Sequence, residues 1–304
     1  MNIIINRKTS PYEFDTDQNG FPAFTQKNID FLNGILRYDS NYSTSSDKDN
    51  PEYQTSYAGI LERGDFFNFS ASVSPSEDDE LGHPIDDLYR VIVSIDKINS
   101  THLASEGNDG KKEKSKKKRN KGRARVAERI REIGGPTLKD YLEKGDAGIV
   151  NIISDSNVGG KHNFSFATKF CSYVSIHALK KDNYCIYDEI LQKVLPYYAY
   201  MYIDEFDEKY GGIYKTVNPT KANDYQPHNE SLVNLFKQNN DYEGYRNLIK
   251  DVINGIREKT GVAVSFEDFD HMLWYYFKGS SSKIAAAMEC LPQKSTKKNS
   301  GKQR

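Results

Sequence analysis

The apolar positions fall into short periodic groups separated by polar stretches, and the period is helical almost throughout. Ile29, Leu32 and Leu36 share a face in 28–37, and Leu88, Val91, Ile92 and Ile95 do so in 84–98. Residues 1–27 and 38–53 are rich in Asn, Asp, Ser, Pro and Gly and read as irregular, while 57–73 is apolar but interrupted by Gly64, leaving its type open. A helix is predicted over 123–133, with Val126 and Ile130 inside and Gly134 past its end, followed by short helices at 137–142 and 147–153. In 164–180, Ala167, Phe170, Cys171, Val174 and Ala178 form one stripe at i, i+3, i+4, i+7 and i+11, with Asn163 and Ser165 as candidate N-caps. Further helices are predicted at 231–237, at 242–259 with Gly261 beyond, and at 265–278 with Gly279 beyond. Strand signals are few and no repeat is evident, so the expected fold class is mainly α.

With 304 residues, 37% apolar and 12% aromatic, the chain can bury a substantial core. It has no run of eighteen apolar residues, and its first six residues are too short for a signal-peptide core, so a soluble cytoplasmic protein is expected. Cys171, Cys185 and Cys290 are odd in number and widely spaced, fitting neither a disulfide framework nor a zinc site, and nothing calls for a metal or cofactor. The net charge of −1 conceals an asymmetry: residues 111–125 carry ten Lys/Arg and one acid, and 294–304 carry five Lys/Arg and no acid. The rest holds 27 basic and 42 acidic residues, so basic charge is concentrated in two segments, either polyanion-binding arms or solvated inserts. Four regions follow: a partly helical N-terminal region 1–98, a disordered basic linker 99–122, a helical domain 123–293 and a disordered basic tail 294–304.

The chemistry centres on Lys169 and Asp188. Lys169 lies one turn into its helix and off the apolar stripe, on a flank shared with Tyr173 that need not be core. The positive end of the helix dipole and partial burial both disfavour an ammonium there, so the amine can become nucleophilic. Asp188, nineteen residues later, precedes 189–195 as a natural N-cap. About twelve helical residues rise roughly 18 Å and the extended 182–188 returns roughly 20 Å, so the two side chains can meet at one mouth. Separately, each has an ordinary explanation as a surface lysine and a cap.

Together the pair resembles that of the helix-hairpin-helix base-excision glycosylases, within them the 8-oxoguanine DNA glycosylase branch, well over 145–198 and weakly over 265–279. The resemblance implies helical subdomains around an active-site cleft. It implies Lys169 as the nucleophile at C1′ of a flipped-out nucleotide, with or without strand cleavage by β-elimination, and Asp188 as its electrostatic and proton-transfer partner. Asp270 and Trp274, one turn apart, resemble the acid and tryptophan with which archaeal members hold the base. Tyr173 would form the opposite wall, although Trp274 reads equally as core beside Leu273 and Phe277, with Asp270 supporting the first turn. Gly159 and Gly160, with Lys161, are the candidates for the phosphate-binding hairpin. They end nine residues before Lys169, where relatives have their turn a residue or two before it.

The implied partner is double-stranded DNA with a damaged or modified base, bound by a monomer that is nucleoid-associated when engaged. The base is either an oxidised purine of the cell's own genome or a modified base of phage DNA; the long polar N-terminal half and the Lys-rich insert favour defence against phage. A non-catalytic DNA-binding module of the same fold is the alternative, and an unrelated helical interaction protein a third. His177 reads as a satisfied helix residue, and the acids at 204, 205, 207 and 208 as a solvated loop rather than a metal site.

Overall fold

A computed structural model describes residues 14–36, 57–69, 86–99, 103, 115–155, 162–217, 231–278 and 280–290. Gly159, Gly160 and Lys161, the hairpin candidates, lie outside these residues, as does the tail 294–304. The helices are α1 (Gln26–Leu36), α2 (Tyr57–Glu62), α3 (Asp87–Asn99), α4 (Ser115–Ile133), α5 (Gly135–Lys144), α6 (Gly148–Ser154), α7 (Phe164–Leu179), α8 (Glu189–Tyr202), α9 (Phe206–Val217), α10 (Ser231–Gln238), α11 (Tyr242–Thr260), α12 (Phe266–Phe277) and α13 (Ser281–Glu289). Among the described residues a lone bridge between Thr16 and Pro22 is the only β pairing, so the fold is mainly α. No helix among them is long and apolar enough to cross a membrane.

Local signals account for several boundaries. Pro136 opens α5, and Gly145 closes it in the left-handed conformation at φ 65°. Asp241 caps α11 by accepting from the Gly244 N–H at 2.9 Å. Ser265 and Asp268 form a reciprocal capping box at the start of α12. Gly255 is required by packing: a Cβ there would lie 2.0 Å from the Tyr202 carbonyl oxygen where α11 crosses α8.

Helix α7 is the centre of the molecule, with α2, α3, α5 and α6 packed on it, while α8 carries α11, α12 and α13. Every residue from Phe166 to Ser175 is buried, so the flank expected to lie off the core is enclosed as well. The periodicity identified one stripe, but a helix with neighbours on all sides buries its polar flanks too.

Four differences from the sequence reading have physical causes. Helix α4 begins at Ser115, inside the stretch expected to be a disordered linker, because Lys and Arg are good helix formers and a charge run does not stop a helix. It is tied to α3 by buried Arg123, which pairs with Asp96 at 2.8 Å. The acidic run expected as a loop opens α9, with Asp207 and Glu208 in the first turn, where the dipole favours acids. Helix α13 was not foreseen. The boundary at residue 98 does not divide the core: Phe24 of the N-terminal region stacks on Phe269 of α12, centroids 5.3 Å apart, and the Tyr276 hydroxyl donates to the Gly20 carbonyl at 2.9 Å.

Candidate active site

Between α7 and α8 the chain returns in an extended segment without a sheet partner, so its backbone polar groups need side-chain partners. They find them. The Tyr242 hydroxyl donates to the Cys185 carbonyl at 3.1 Å, and the Tyr245 hydroxyl to the Ile186 carbonyl at 2.7 Å. The clamp that matters most is at Tyr187, whose N–H donates to Thr168 Oγ1 at 3.0 Å and whose carbonyl accepts from Ser165 Oγ at 3.0 Å. The residue before Asp188 is thereby bonded to the residue before Lys169. Ser165 is spent on this clamp and does not cap α7; Asn163 occupies the N-cap position without a side-chain capping bond. Asp188 is the N-cap of α8, accepting from the Leu191 N–H at 2.8 Å.

Lys169 is only 7% exposed, yet among the described residues no carboxylate lies within the 4.0 Å of an ion pair with its amine. Burial pushes its proton affinity below the usual lysine range; Asp188 and Asp270 pull it back up, and Lys278 pushes it down further. Asp270, buried at 8% exposure, faces the same group from α12. Burial, then the Asp188 charge, holds its carboxyl well above the usual range, with Lys169 opposing. The arrangement disfavours charge on both groups, drawing Lys169 towards the neutral amine and Asp270 towards the protonated acid.

From Asp270 a narrow cleft runs along α7 past Tyr173 to His177, lined also by Tyr57, Tyr184, Phe266, Glu267 and His271; Lys169 and Asp188 are not among its lining residues. Tyr173 and Asp270 therefore share one cavity. The ring stacked on Tyr173 is Tyr57, with centroids 5.1 Å apart and planes inclined by 24°. Trp274 is not among the lining residues: it is half-buried against the core, edge-on to Tyr275 at 5.1 Å, with the Lys278 ammonium 5.0 Å from its centroid. His177, read as a satisfied helix residue, has its Nδ1 3.5 Å from the Glu62 carboxylate and its ring edge-on to Tyr57, and burial lowers its proton affinity.

Several of these residues escaped the sequence reading. Tyr57 lies in a segment whose type the pattern left open. Asp182 is in the return segment, and its carboxylate accepts from the Glu267 N–H at 3.2 Å, seating the start of α12 against the end of α7. Glu267 and Lys278 had a usable signal, because Glu267, Asp270, Trp274 and Lys278 follow one another at steps of three, four and four on one helix face.

Burial, with Asp182 and Asp268 nearby, raises the Glu267 carboxyl from 4.5 to about 7. Between these values the native group keeps a proton that the unfolded chain has released. The stabilisation is thus complete below pH 4.5 and is lost as pH rises through about 7. Glu267→Gln should remove this dependence and make the protein more stable at pH 8 by about 2 kcal/mol relative to wild type, after discounting for partial exposure. Urea titrations of both proteins at pH 5 and pH 8 check it; parallel changes with pH would show that Glu267 titrates normally.

Compared with known proteins, the chain matches no family model, no curated protein and no solved structure.

Proposed function

We propose that this chain is a DNA N-glycosylase of helix-hairpin-helix type, acting on a nucleotide extruded from double-stranded DNA. Lys169 carries the reading: a buried amine held below its normal proton affinity by burial, within the electrostatic reach of Asp188 and of Asp270, the latter of which lines an aromatic-walled cleft. A buried lysine without an ion pair costs stability, and such sites are characteristic of amines that react.

In this reading Lys169 Nζ forms a bond to C1′ as the bond from C1′ to the base nitrogen breaks, and the electron pair leaves with the base. The Asp188 carboxylate stabilises the positive charge that develops on the sugar. Asp270, protonated, donates a hydrogen bond to the base and gives it that proton on departure. The attached amine then returns a proton to Asp270, the sugar ring opens as the C1′–O4′ bond breaks and O4′ takes a proton, and water hydrolyses the resulting imine to free Lys169, either directly or after β-elimination of the 3′ phosphate. The donor role is the reverse of the accepting role that the family resemblance implies for Asp270, and it follows from burial. Tyr57 and Tyr173, stacked on each other, form an aromatic wall of the cleft that Asp270 lines.

The test is a panel of duplexes carrying oxidised purines or modified phage bases, incubated with the full chain, with released bases identified by mass spectrometry and covalent intermediates trapped by borohydride. Base release with an adduct mapped to Lys169 is expected. Binding of every duplex with neither release nor adduct would instead make the chain a DNA-binding module, and release without an adduct would remove Lys169 from the role of nucleophile.

A further inference from the structure

The mouth of the Lys169 site is a poor place for a polyanion, because Asp188, the N-cap of α8, and Glu189 beside it in the first turn would repel the backbone of an approaching duplex. Lys278 opposes them. It is the exposed C-cap residue of α12, at the rim two turns along from the cleft-lining Asp270. Asp270, Trp274 and Lys278 lie at successive steps of four on one face of α12. They lead from buried carboxyl to aromatic ring to exposed ammonium over roughly 12 Å.

The ammonium is held without being neutralised. It lies 5.0 Å from the Trp274 ring centroid, and among the described residues no carboxylate is within the 4.0 Å of an ion pair with it. Glu189 is engaged by Lys193 at 2.6 Å. A nucleotide that presents C1′ to Lys169 must lead its flanking phosphates out over this rim, where an oriented, unneutralised cation can receive one.

We propose that Lys278 is a positioning residue that holds the DNA backbone phosphate beside the nucleotide attacked by Lys169. The proposal rests on the glycosylase reading and names the contact by which its site grips DNA.

The probe is a duplex with a single abasic site, whose sugar aldehyde condenses with a reactive amine whatever base the enzyme excises. In Lys278→Gln the half-saturating duplex concentration for borohydride trapping should rise roughly fivefold to tenfold. The dependence of log affinity on log salt should lose about one unit of slope, and any fall in trapping rate at saturating duplex, from loss of the charge that helps lower the Lys169 proton affinity, should be recovered at higher pH. Lys278→Arg should restore affinity and slope, which a merely structural role would not require. Unchanged affinity and slope in Lys278→Gln, or a lost maximal rate at unchanged affinity, would overturn the proposal. Fluorescence anisotropy of the same duplex measures the contact without chemistry. A wild type that forms no adduct removes Lys169 from the role of attacking amine, while the anisotropy series still decides whether Lys278 binds phosphate.

Discussion

Lys169→Met is expected to abolish the borohydride-trapped adduct and reduce base release on the order of 10⁴-fold or more, as deletion of a nucleophile does elsewhere. It should also yield a protein more stable than wild type by about 1 to 2 kcal/mol. The two effects have one cause. Lys169 is enclosed on the central helix without an ion pair, so the fold bears a desolvation cost that methionine, of similar length and apolar, does not impose. Removing the amine leaves little buried charge behind, because burial draws the Asp270 carboxyl towards its protonated form and Asp188 is engaged as a helix cap. The pH dependence has a definite sign. Between the depressed native pKa of Lys169 and 10.5 the unfolded chain binds a proton that the native site refuses, so wild type gains stability as pH rises through that interval. The variant lacks this gain. Urea titrations across alkaline pH, paired with trapping assays, check both; a variant destabilised by 3 kcal/mol or more would mean that Lys169 holds the site together rather than reacting in it.

Asp188 caps α8 and, in the proposed reaction, also stabilises the sugar, and two substitutions separate the cap from the proposed role. Asparagine caps helices about as well as aspartate, so Asp188→Asn should keep the bond from the Leu191 N–H and melt near wild type, yet lose about 10²- to 10⁴-fold in base release for want of a carboxylate. Asp188→Ala should lose the activity and a further ~1 kcal/mol of stability with the cap. Single-turnover rates and thermal melts of the pair measure the difference. A wild-type rate in the asparagine variant would reduce Asp188 to a cap and leave the charge on the sugar to Asp270.

Most helices were legible in the sequence because their signals are local. The spacing of Leu88, Val91, Ile92 and Ile95, Gly145 past α5, Gly261 past α11 and Ser265 before α12 each act within a turn or two of chain, where i, i+4 geometry is fixed. The cap role of Asp188 belongs to the same class. Segments that deviate from these signals were read less well: α2 is only six residues long, and α4 starts within a lysine run that composition marks as linker.

The sequence by itself determined a mainly helical chain and put Lys169 and Asp188 within reach of each other, since helix rise and extended length are properties of the backbone alone. Only the tertiary structure decided what Lys169 is. Its burial comes from helices packed on every side of α7, and its weakened hold on a proton sums contributions from Asp188, Asp270 and Lys278, the last more than a hundred residues away. The ring on Tyr173 comes from Tyr57, equally distant in the other direction. Desolvation and Coulomb forces act through space and carry no signature in local spacing, so the lowered proton affinity of this lysine is written in the packing rather than in the motif.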